Sequence, residues 1–95
     1  MSGKLKFPDD FDDYASDVEA KGWFSGAILC VAGRNYALNF YDPVRLAQTI
    51  HDELERSKVF CEPNLCAVRS VTRLEMEEAA IELLTRDPTR TLMET

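Results

Sequence analysis

Apolar residues recur along this chain with two different periods, and the switches between them lay out the elements. Over residues 9–21, Phe11, Tyr14, Ala15 and Val18 stand at i, i+3, i+4 and i+7, one stripe of a helix. Asp9, Asp10, Asp12 and Asp13 occupy its first turns, where the helix dipole favours negative charge. Lys21 closes it, and Gly22 can take the left-handed stop position. Residues 23–32 are apolar almost throughout and predict a buried strand. Gly33-Arg34-Asn35 then offers residues that tolerate positive φ, so a tight hairpin is expected, with a two-residue loop at Gly33-Arg34 or Arg34-Asn35. The return strand covers residues 36–41. Either loop sets Ala27, Leu29 and Val31 on the same side as Tyr36, Leu38 and Phe40, because the two registers differ by two residues and such a slip does not exchange faces.

Asp42-Pro43 is a helix start: the carboxylate can cap the first free amides, and proline suits the first helical position. The helix is expected over 43–58, burying Leu46, Ala47, Ile50 and Leu54. A loop over 58–64 leads to a third strand, 65–71. Thr72 and Glu75 then form a T-x-x-E capping box, with Val71 and Met76 at the two ends of a hydrophobic staple. The last helix runs over 73–86, its apolar arc made by Met76, Ala79, Ala80, Leu83 and Leu84 with Ile81 at the margin, and Asp87-Pro88 ends it.

The order is α-β-β-α-β-α. A helix between the second and third strands makes those two parallel, with a right-handed connection. The third strand can pair with the second or the first; the continuous apolar character of 27–32 suits a central first strand, which favours the order 2-1-3. The fold class is α+β: a two-layer α/β sandwich with a three-stranded mixed sheet, two later helices on the Leu29/Val31/Leu38/Phe40 face, and an N-terminal helix. Residues 1–95 make one domain, with an ordered core over about 8–86 and loose ends at 1–6 and 87–95.

Composition adds exclusions. A chain of 95 residues with 45% hydrophobic and 29% charged residues has ordinary globular make-up. Its longest apolar run, Ala27-Ile28-Leu29-Cys30-Val31-Ala32, is too short to span a bilayer, and MSGKLKF lacks the apolar core of a signal peptide. Three cysteines cannot complete a disulfide framework, which fits a reducing compartment. The expectation is a cytoplasmic protein with no membrane partner. Net charge is −6, and Arg34, Arg45, Arg56, Arg69, Arg73, Arg86 and Arg90 are scattered, so nucleic-acid binding is disfavoured.

Four features are candidates for function. The first is the second face of the sheet, carrying Ile28, Cys30, Ala37, Asn39 and Tyr41, with Arg69 or Ser70 from the third strand. Either the N-terminal helix folds over it through Phe11, Tyr14 and Val18, or it meets a second copy or a foreign partner. Tyrosine and arginine suit contact surfaces because each joins nonpolar area to a polar tip. Ile28, Asn39, Tyr41 and Arg69 are the expected partner-binding residues. The second feature is the acidic stripe Asp9, Asp10, Asp12, Asp13 and Asp17. Its spacing is helical rather than that of a Ca²⁺ loop, and it would serve an acidic inhibitor or immunity-type protein docking a basic partner such as a nuclease. Glu75, Glu77, Glu78 and Glu82 are read as the solvated side of the last helix.

The third is metal. Cys30, Cys61, Cys66 and His51 are enough for a Cys₃His site, but Cys61-x₄-Cys66 is not the tight pair of zinc ribbons, and Cys30 and Cys66 fall in strands. The fourth is catalysis around His51, whose helix-surface companion is Glu55 at i+4, with Cys61 as a possible redox thiol. Gly22-x-x-x-Gly26 is followed by no Lys-Ser/Thr, so no phosphate loop is read. No catalytic residue, metal or cofactor is expected. The leading expectation is a non-enzymatic interaction protein, a homo-oligomer built on the second sheet face.

Overall fold

The computed structural model describes residues 3–95. In chain order the elements are β1 (Gly3–Lys6), α1 (Phe11–Lys21), β2 (Trp23–Val31), β3 (Arg34–Tyr41), α2 (Pro43–Arg56), β4 (Leu65–Ala67), α3 (Arg73–Thr85) and the short α4 (Pro88–Thr91). The fold is α+β, with a single four-stranded mixed sheet in the order β1-β2-β3-β4.

Two expectations about the sheet are corrected together. The described residues form four strands rather than three, and the last strand pairs in parallel with β3, not with β2, so the order 2-1-3 does not hold. The strand over 23–31 is central as its composition suggested. Its free edge, however, is taken by the segment expected to be loose: β1 runs antiparallel to β2, from Gly3 opposite Val31 to Lys6 opposite Ile28. One apolar side chain, Leu5, faces Leu29 and is buried. β4 is also shorter than the predicted 65–71, because the chain leaves the ladder after Ala67 and turns toward α3.

The hairpin turn falls one residue before the predicted Gly33-Arg34 loop and two before Arg34-Asn35. Ala32 and Gly33 are its central pair, at φ 52° and 76°, as the mirror-image turn that matches strand twist requires. The faces survive this shift, since the register again moves by two: Ala27 lies opposite Leu38 and Leu29 opposite Tyr36. Between Phe24 and Ala27 the register slips, with Ser25 and Gly26 sharing the place opposite Asn39. This bulge brings Phe24 onto the same side as its partner Phe40, and both are buried.

The core lies on that one face. Leu5, Phe24, Ala27, Leu29, Val31, Tyr36, Leu38 and Phe40 meet Phe11 and Val18 of α1, Val68 and Val71 before α3, and Met76 and Ala80 of α3 in a single cluster. The Phe11 and Phe24 rings are 5.0 Å apart, edge to face. Arg73 of α3 lies 4.4 Å over the Phe7 ring and reaches Asp12 of α1 at 3.2 Å, stitching the two helices side by side. The covering pair is therefore α1 and α3, not the two later helices.

α2 starts as its sequence says, with the Arg45 amide donating to Asp42 Oδ1 at 2.7 Å and Pro43 in the first turn. Yet it buries none of its residues: Leu46 and Ile50 are half-buried, and Ala47 and Leu54 are exposed. An amphipathic stripe reports that a helix wants a cover, not where the cover is, and here the core face is already filled by α1 and α3. Gly22, at φ 80°, ends α1 and accepts the Asp42 amide at 2.8 Å; a Cβ on it would sit 2.5 Å from Asp42 Oδ2.

α3 begins at Thr72, whose hydroxyl accepts the Glu75 amide at 3.2 Å, with Val71 and Met76 both buried. The segment from 87, expected to be loose, folds back onto the body. Pro88 is buried, the Met93 amide donates to Asn64 Oδ1 at 2.6 Å, and the Thr95 amide donates to the Asn35 carbonyl at 2.9 Å.

Candidate interaction surface

Alternation along the strands sends every second side chain to the face opposite the core. Among the described residues, α1 and α3 pack on the core side and neither covers this face, while α2 comes beside its Tyr41 end, where Arg45 and Glu53 act on the phenol. Its centre is Ile28 and Cys30 on β2 with Ala37 and Asn39 on β3, all half-buried. Trp23, opposite Tyr41, and Leu65, opposite Asn39, lie on the same face at 36% and 37% exposure. Lys4 and Lys6 of β1, opposite Cys30 and Ile28, form its charged rim.

The structure treats the four expected contact residues differently. Ile28 stands in the middle of the open face. Asn39 is half-committed, its side-chain amide donating to the Pro63 carbonyl at 2.8 Å. Tyr41 is only 7% exposed, and its hydroxyl donates to both Glu62 carboxylate oxygens at 2.9 Å. Burial first, and then the Glu62 carboxylate, pushes its phenol up to about 12. Tyr41 thus pins the loop between α2 and β4, and its ring forms a wall of a shallow recess of about 290 Å³ with Trp23, Ser25, Asn39 and Glu62. Arg69 lies beyond the end of β4, exposed and outside the ladder.

Trp23, Glu62 and Leu65 belong to this surface and were not singled out from sequence. Trp23 reaches the face only through the bulge, for which Gly26 inside an apolar strand is the sole hint. Glu62 sits in a loop with no pattern to betray it.

The other candidates are separate. Asp9, Asp10, Asp12, Asp13 and Asp17 are all exposed around the first half of α1, and Asp12 is engaged by Arg73. His51 meets Glu55 at 3.1 Å on the exposed side of α2. Cys30 lies on the open face, Cys61 is exposed in the loop, and Cys66 packs against the core, where burial pushes its thiol up to about 11. Among the described residues, no group of three or more His, Cys, Asp or Glu side chains comes together to hold a metal ion. Nor is any helix among them long and apolar enough to cross a membrane.

No family model, no curated protein and no solved structure matches this chain.

Proposed function

We propose that this chain is a non-enzymatic interaction protein that self-associates through the open face of its sheet. Ile28 forms the centre of the contact, with Cys30, Ala37, Trp23 and Leu65 around it and Asn39 and Tyr41 as a fixed polar border. The observation that carries this reading is the uneven cover of the sheet: α1 and α3 pack on one face, while the apolar centre of the other, at Ile28, Cys30 and Ala37, stays half-buried. Two such faces related by a two-fold axis pack as a sheet pair about 10 Å apart, each apolar residue meeting its symmetry mate or a neighbour. The non-enzymatic part is supported by the placement of His51, exposed on the surface of α2 beside Glu55. The cytoplasm is the compartment this reading favours, supported by three free thiols.

A second reading, an acidic inhibitor or immunity-type protein that docks a basic protein, is supported by the exposure of Asp9, Asp10, Asp13 and Asp17 on one end of α1. Sedimentation equilibrium over a dilution series at low and high ionic strength tests the first reading. Association that persists in high salt supports the sheet face, since apolar burial is not screened. A monomer at every concentration and salt removes it.

A further inference from the structure

A different surface lies at the boundary of the sheet. β1 pairs with β2 alone among the described residues, so half of its backbone N–H and C=O groups point outward without a strand to meet. Beside this edge, on the core side, runs α3. Between them is a recess of about 530 Å³ whose apolar wall comes from Leu5, Leu74, Ile81 and Leu84. Leu74 and Ile81 stand at i and i+7, on one side of α3, and are 65% and 64% exposed. An unpaired strand edge with an apolar helical groove above it is the geometry that accepts an extended segment as an added strand.

Charge selects the occupant. In an added strand, alternate side chains enter the α3 groove, and the others lie on the open face beside Lys4 and Lys6. A second copy of β1 pairing antiparallel about Leu5 would set Lys4 against the copy's Lys6, like charges directly opposite, which is destabilising. Acidic side chains at those positions are matched instead. On the groove side, Glu77 and Glu78 line the recess and oppose acid there, leaving that side for apolar residues.

We propose that the β1 edge and α3 together form a strand-accepting site for an extended segment of a partner protein in which apolar and acidic residues alternate. The site is separate from the open face and stands whether or not that face self-associates.

The test uses the full chain and two short fluorescent peptides, one alternating Val with Glu and the other Val with Lys. Anisotropy is read at physiological ionic strength, where charges more than about 8 Å apart are largely screened and the net charge of the chain counts little. The Val/Glu peptide should bind about fivefold to tenfold more tightly than the Val/Lys peptide. The double variant Lys4→Glu/Lys6→Glu should reverse that order. Ile81→Lys, at an exposed position, should weaken the Val/Glu peptide with an unchanged thermal midpoint. Amide shifts in the bound state should concentrate on Gly3, Lys4, Leu5 and Lys6. Equal binding of the two peptides, binding of neither, or shifts centred on α1 would overturn the proposal. So would loss of an oligomer in Ile81→Lys, which would assign the edge to a second copy.

Discussion

The two faces of the sheet are built at their centre from the same two long strands, β2 and β3, and differ in what covers them. On the core face, Leu29, Leu38 and Phe40 are fully buried beneath α1 and α3. On the open face, Ile28, Cys30 and Ala37, the very next residues along the same strands, stay half-buried. Strand alternation places apolar residues on both sides, but only helices that land on a side turn it into an interior. The comparison teaches that an apolar strand states how much surface wants cover and leaves open whether the same chain supplies it.

Substitutions sharpen the contrast. Phe40→Ala on the core face should destabilise by about 3–5 kcal/mol, the loss of transfer free energy plus a cavity. Ile28→Ala on the open face should cost roughly 1 kcal/mol or less in the monomer. Urea unfolding of both variants measures this, and equal losses would mean the faces are not as different as their exposure says.

The two tyrosines of β3 repeat the comparison on a smaller scale. Tyr36 points into the core, where its hydroxyl is buried with no hydrogen-bond partner among the described residues; Tyr41 points to the open face and donates to Glu62. Tyr36→Phe should be neutral or stabilising by up to about 1 kcal/mol, because it removes an unsatisfied polar atom. Tyr41→Phe should destabilise by about 1 kcal/mol, because it strands the Glu62 loop. The pH dependence follows. The Tyr41 phenol is raised from 10.0 to about 12 in the folded chain, so the neutral form is favoured by folding. Its contribution is whole below pH 10 and declines as pH rises toward 12, where the unfolded chain ionises and the folded one keeps its proton. Denaturation midpoints across that window should fall more steeply for the parent than for Tyr41→Phe.

The smallest effect is kinetic. At mildly alkaline pH, Ellman's reagent should label exposed Cys61 first and Cys66 last, since the core-packed thiol is both shielded and held protonated. Rapid labelling of Cys66 in the folded chain would contradict its placement against the core.

Much of this architecture is legible in the sequence where a local signal suffices. Asp42-Pro43 and Thr72-x-x-Glu75 mark helix starts with their own side chains, and the faces of the hairpin follow from parity under any even slip. What escapes depends on distant partners. β1 shows one apolar residue in four, too little for a periodicity, and becomes a strand only because β2 offers a free edge. The bulge at Ser25-Gly26 exists only relative to Asn39 across the ladder. α2 has an apolar stripe as clear as that of α1, yet the core face was closed to it. At the candidate site, Ile28 was readable from alternation, whereas the hold of Glu62 on Tyr41 is a loop contact that no spacing announces.

The central claim is that the open face is a contact surface between copies, and Ile28→Lys addresses it most directly. It puts a charge in the middle of that face, where Lys6 is already its neighbour, and leaves the core untouched. A native mass spectrum should show the parent at a clean multiple of the chain mass and Ile28→Lys at the mass of one chain, with the same far-ultraviolet spectrum. A parent that is monomeric, or an Ile28→Lys variant that keeps the parent's multiple, would contradict the account.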